Sequence, residues 1–167
     1  MSKKLDAVTT PREEGDEKYV ALSRVWRRYG LLFKDLMNAY GFEKALMHHI
    51  DARAEIDEEI INSLKEKYSR LDIENYGARI KESYMSSGYA SDAKVTDDSV
   101  EIKLSLCPFY EGFTQAGLDH DVIKRVCVRT SHYQYDLFKR HYPEYEGIIE
   151  FRDTADGCCT EGFRLNK

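Results

Sequence analysis

The sequence predicts an α+β domain: an N-terminal helical layer packed on a roughly four-stranded antiparallel sheet, with a helix crossing between two hairpins. Three observations predict it. Apolar residues recur at helical spacing from Tyr19 to Tyr84. The period then changes to two, at Val100, Ile102, Leu104 and Leu106. A further helical stretch separates this strand from two more near the C-terminus. Helices, hairpin, helix, hairpin is an order that covers one sheet face with helices.

Residues 1–15 are polar and charged, contain Pro11, and read as a flexible arm. Residues 16–167 read as a single domain, with a helical part (16–88) and a sheet and site-bearing part (89–167). In the first helix Tyr19, Leu22, Val25, Trp26 and Tyr29 form a stripe that Leu32, Phe33, Leu36 and Met37 continue, and Tyr40-Gly41 punctuates it. The second helix carries Ala45, Leu46, His49, Ile50, Ile56, Ile60, Leu64 and Tyr68. Asp72 is placed to cap a third, with Ile73, Tyr76, Ile80 and Tyr84 inward.

After Gly88, residues 93–96 pair with the strand at 100–106, and Asp97-Asp98-Ser99 forms the turn. Pro108 stops that strand. Asp119 caps a helix to about Arg140, with Ile123, Val126, Thr130, Tyr133 and Leu137 inward, and Pro143 ends it. Residues 148–153 and 159–165 read as the last two strands.

The chain has 167 residues, 42% of them hydrophobic and 33% charged, which suits one soluble domain with its own core. A net charge of −5 argues against a nucleic-acid surface. No apolar run approaches the ~20 residues that span a bilayer. Met1-Ser2-Lys3-Lys4-Leu5-Asp6 has no apolar stretch behind its lysines, so a cytoplasmic protein with reduced cysteines is expected. Trp26 and Phe33, on one stripe of a long helix, suggest a homo-oligomer surface. The expected partner is a small molecule, with no nucleic acid and no membrane.

All four cysteines lie between residues 107 and 159, among acids and histidines. Thiolate is a strong nucleophile and a soft metal ligand. Cys107 stands at a strand end in phase with Glu101, Lys103 and Ser105, hence on the face away from Val100 and Ile102. Its plainer reading is a small hydrophobe under a proline turn. Cys127 follows His120 by seven positions and shares its helix face. A Cys-His pair could activate the thiol, and a core cysteine near a solvent histidine is the plainer alternative. Glu150 interrupts an apolar strand, and Asp153 follows three residues later. Of the adjacent Cys158 and Cys159, one at most joins a site, because successive strand side chains diverge. There is no glycine-rich phosphate loop, HExxH, GxSxG or paired CxxC.

The order Cys107-Pro108-Phe109-Tyr110, a helix carrying Cys127, a strand with an acid, and Asp156-Gly157-Cys158-Cys159-Thr160-Glu161-Gly162-Phe163-Arg164-Leu165 resembles the L-2-amino-thiazoline-4-carboxylic acid hydrolase family. Here Glu161-Gly162 stands as an insertion before Phe163, and Cys159 is preferred to Cys158 as the motif cysteine. The resemblance implies hydrolysis or ring-opening of a small cyclic C–N substrate. Two mechanisms follow from it. Cys107 or Cys127 attacks, with His120 as base and an acid assisting the leaving nitrogen, so that Cys127→Ser abolishes turnover. Alternatively a metal activates water, and Glu150 or Asp153 handles the proton. The same half is similar to the 4-vinyl reductase-type small-molecule-binding domain, which implies a non-catalytic or sensory role. It also implies a zinc site at Cys127, Glu150, Asp153 and Cys159.

Overall fold

A computed structural model of the chain describes residues 17–67, 73–86, 89–154 and 156–166. The expected arm, Tyr68, the expected cap Asp72 and Gly88 lie outside them. The described chain runs α1 (Glu17–Tyr40), α2 (Phe42–Lys67), α3 (Ile73–Ser86), β1 (Ala90–Val95), β2 (Ser99–Leu106), α4 (Pro108–Gln115), α5 (His120–His141), β3 (Tyr145–Glu150) and β4 (Cys159–Leu165). The four strands form one antiparallel sheet in the order β1-β2-β4-β3. Two hairpins are therefore joined along β2 and β4, as the α+β reading requires.

Each boundary has a local cause. Gly41 ends α1 with φ +86°, a left-handed conformation open to glycine at little cost. Thr96 N–H donates to the Ser99 carbonyl at 2.8 Å and closes the β1–β2 turn. Asp119 caps α5, its Oδ1 accepting from Val122 N–H at 2.8 Å. Asp119→Ala should cost about 0.5–2 kcal/mol. A change beneath that range, by chemical denaturation, would show that α5 is held by packing alone.

Strand alternation sets the inner face. Across β2 and β4, Val100 pairs with Phe163, Ile102 with Glu161, and Leu104 with Cys159. Across β3 and β4, Gly147 pairs with Phe163, and Ile149 with Glu161. Cys159, Glu161 and Phe163 thus share the face of the buried Val100, Ile102 and Leu104. Lys103 and Ser105 stand exposed on the opposite face. There Arg164 Nε also pairs with Glu146 at 3.0 Å.

Helices cover the inner face in two tiers. α3 packs on β1 and β2, and α5 packs on β3. α2 lies against α5, while α1 rests on α2 and α4. The core has two centres. One joins Ile102, Leu104 and Phe163 to Leu137 and Phe138 of α5. The other joins Phe33 and Leu46 to Phe109, Phe113, Ile123 and Val126. Tyr133 and Phe151 pack against both.

Two expectations about packing need correction. Phe33 is 2% exposed within the helical core, and Trp26 is partly buried against the same core, so this stripe faces inward. The exposed apolar side chains of α1 are Val25, Leu31, Leu32 and Tyr40. On α2, Ile56 and Ile60 are exposed, and the inward face carries Asp57 and Ile61 instead. One residue of offset rotates a position by ~100°, so the apolar-rich stripe was displaced from the true inner one. The strand does stop before Pro108, as expected, and the residues after it form the unforeseen α4, with Pro108 in its first turn and Cys107 as N-cap.

Candidate functional site

Reactive groups gather where the two core centres meet. β4 contributes Cys159 and Glu161 from its inner face. α5 contributes Cys127 and Tyr135, α3 contributes Tyr84, and the segment before β1 contributes Tyr89. Cys107 enters at the N-terminus of α4. Glu161, Cys107 and Cys127 are each half-buried.

Glu161 is the centre of this group. Its Oε2 accepts a hydrogen bond from the Tyr84 hydroxyl. Burial raises its carboxyl above the usual carboxylate range, while the Tyr84 bond and the positive charge of Arg53 oppose the shift. Its negative charge is felt in turn by Tyr84, Tyr89, Tyr135, Cys107 and Cys127. Tyr135 is anchored by donation from its hydroxyl to the Ile148 carbonyl at 2.6 Å. Its ring lies over Gly147, where a Cβ would come within 2.2 Å of the ring. The glycine is thus what lets α5 bring this tyrosine down onto the sheet.

The thiols of Cys107 and Cys127 are held neutral. Burial pushes Cys107 up to about 12, and the Tyr110 N–H bond to its Sγ, at 3.4 Å, offsets only part of this. Cys127 is also raised, by burial first and then by Glu161, Cys107 and Cys159. Cys159 is buried and accepts from Arg152 Nε at 3.4 Å. The Arg152 guanidinium lies over the Tyr110 ring, 4.5 Å from its centroid. Tyr110 OH and His120 Nδ1 are hydrogen-bonded at 2.9 Å. All four cysteines are free thiols.

Cys107, Cys127 and Cys159 thus come together, and the acids expected beside them do not. Glu150 pairs with Thr160 on the outer side of the sheet and is exposed, as is Asp153 in the loop that follows. The expected zinc set of Cys127, Glu150, Asp153 and Cys159 is therefore not assembled. Among the described residues no group of three or more His, Cys, Asp or Glu is arranged to hold a metal ion. Cys107 does not face outward as its phase on β2 suggested, because capping α4 turns its sulfur toward Tyr110 N–H. His120 is bonded to Tyr110, not to Cys127. Cys158 is exposed, which leaves Cys159 as the cysteine directed inward.

No family model, curated protein or solved structure matches this chain. Among the described residues no helix is long and apolar enough to cross a membrane.

The sequence reading missed Glu161, yet its signal was present. Cys159, Glu161 and Phe163 alternate, so an acid occupies an inward position between a cysteine and a phenylalanine. It missed Arg53 and Asp57 as well. They follow His49 at steps of four along α2, on the inward side of that helix.

Proposed function

We propose that this protein hydrolyses a small cyclic C–N substrate of the aminothiazoline-carboxylate type, with Glu161 as its acid–base group. One observation carries the reading: a carboxyl raised by burial, held by Tyr84 and ringed by tyrosines and thiols, inside the fold. A carboxyl whose hold on its proton is strengthened by burial is suited to general-acid catalysis. In the proposed step, water adds to the amidine-like carbon and Glu161 gives its proton to the departing ring nitrogen. The C–N bond breaks and the water oxygen stays on carbon. The water's protons end on nitrogen and on Glu161, which returns to its starting state.

This assigns the thiols a supporting role. A thiol raised by burial is a poor nucleophile, and His120 is engaged elsewhere. Cys127→Ser should therefore keep most of the turnover and lose about 1–3 kcal/mol of stability from burying a hydroxyl. Paired thermal melts and assays on 2-aminothiazoline-4-carboxylate check both points. A folded but inactive Cys127→Ser protein would return the mechanism to thiol attack. Absence of turnover by the wild type, with the ligand still bound, would leave the second reading. That reading is a non-catalytic small-molecule-binding domain of the 4-vinyl reductase type, and the neutral thiols of Cys107 and Cys127 favour it.

A further inference from the structure

The seam between α1 and α2 is apolar and open to the outside. Tyr29 and His49 mark where the helices meet: the Tyr29 hydroxyl and His49 Nδ1 are hydrogen-bonded at 3.0 Å. Val25 and Leu32 stand four residues before and three after Tyr29, on its side of α1. Ile56 and Ile60 stand seven and eleven residues after His49, which returns them to its side of α2. All four border the seam, yet Val25 is 59%, Leu32 62%, Ile56 56% and Ile60 54% exposed. α1 packs closely on α4 at Gly112, and α2 lies against α5, so the inward sides of both helices are taken and this outer side is not.

Charge divides across the same seam. Arg24 and Arg28 are exposed on α1, one turn apart. Asp51, Glu55 and Glu59 form an exposed row on α2 at steps of four. The helices run antiparallel through Gly41, as the Phe33–Phe42 and Tyr29–His49 contacts show. Counting from Tyr29 and His49, Arg28 stands at the height of Asp51 and Arg24 at that of Glu55, within one residue. From α1 to α2 the face is thus basic, apolar and acidic. An anionic membrane would suit the arginines but would be repelled by the acidic row. A surface with the same charges in reverse order suits both.

We propose that a second copy of this chain docks on the α1–α2 face, about a two-fold axis that runs along the seam. That axis sets α1 of each copy over α2 of the other and keeps residue heights. Arg28 then meets Asp51, and Arg24 meets Glu55, twice in the dimer. A two-fold axis across the seam would set α1 on α1 and oppose like charges. Val25, Leu32, Ile56 and Ile60 of both copies close as the centre of a four-helix bundle. α1 and α2 have 24 and 26 residues, so the face is about 36 Å long and ~20 Å wide, close to the ~800 Å² that each partner of a specific interface buries.

Sedimentation equilibrium on the full chain at micromolar concentration should give twice the chain mass. Arg24→Glu with Arg28→Glu makes both sides of the face acidic, and Asp51→Arg with Glu55→Arg makes both basic. Each double variant should sediment as a monomer. Mixing the two should restore a dimer, because each α1 then meets an α2 of opposite charge. Leu32→Ser with Ile56→Ser leaves the charges alone and should weaken the dimer at least ~10-fold. Circular dichroism melts confirm that the variants are folded, as substitutions at exposed positions should leave them. If a charge reversal unfolds the chain, the serine pair decides. A monomeric wild type overturns the inference, and flotation of that monomer with phosphatidylserine vesicles would assign the face to a membrane instead. A dimer that survives either charge reversal or the serine pair overturns it too, as do two monomeric variants that fail to recombine.

Discussion

Glu161→Gln should cut turnover of an aminothiazoline-type substrate by on the order of 10²–10⁴-fold, the usual contribution of a positioned acid. The same variant should be more stable than the wild type at neutral pH. The folded carboxyl is raised above its ordinary value of 4.5, chiefly by burial. The folded state therefore holds this proton more tightly than the unfolded chain does. Its stabilising contribution is full below the unfolded value and is lost as pH rises through the folded one. Glutamine keeps the shape and a partner for Tyr84 but cannot ionise. The advantage of the variant should open as pH increases and close below about 4.5, the unfolded value. Melting both proteins from pH 4 to pH 8 reads this directly. A variant less stable than the wild type at pH 7 would mean that Tyr84 and Arg53 hold an ionised carboxylate, and the general-acid role would fall with it.

The outline of the fold was legible because its largest signals are periodic. Val100, Ile102 and Leu104 alternate without interruption, and the inward residues of α5 recur at clean helical steps. Asp119 and Pro143 mark the ends of α5 in one-residue signals. α4 was hidden because it is eight residues long and has a glycine, Gly112, in its middle. Pro108 signals the stop of a strand and the start of a helix equally well, and only the first meaning was read.

The candidate site was legible in its sulfur and not in its charge. Cys107, Cys127 and Cys159 stand out by residue type. The acid was sought on the wrong strand because Glu150 sits among isoleucines, and an acid in an apolar run looks deliberate. Ile148 and Ile149 precede it on successive positions, however, so that run does not define a face. The face of β4 does, and Glu161 is on it. The same error recurs on α2. A search for apolar residues selects Ile56 and Ile60, whereas the chain turns Asp57 inward and leaves both isoleucines in solvent. Inward polar residues defeat hydrophobic periodicity, and they concentrate where a protein has a site.

Phe113→Ala should destabilise the protein by about 3–5 kcal/mol, the cost of emptying a buried phenylalanine position. For a chain of this size that lowers the melting temperature by roughly 10 °C or more. Phe113 is 0% exposed, and its ring lies 4.3 Å from Phe109 and 5.9 Å from Phe33 by centroid. Trp26 and Tyr29, like Phe33 on α1, have ring centroids 6.5 and 6.3 Å from it. The cavity cannot collapse easily, because Gly112 already brings α4 within van der Waals limits of α1: a Cβ there would stand 2.5 Å from Trp26 Cβ. The effect should extend to the site, since α4 begins at Cys107 and carries Tyr110, the partner of His120. Loosening α4 would free the Cys107 sulfur from Tyr110 N–H, so thiol labelling of Cys107 should accelerate in the variant under native conditions. Phe113→Leu, which keeps most of the volume, should recover much of the stability and slow that labelling again. A loss under about 1 kcal/mol for Phe113→Ala would match an exposed position. It would show that α1 does not hold α4 against the site.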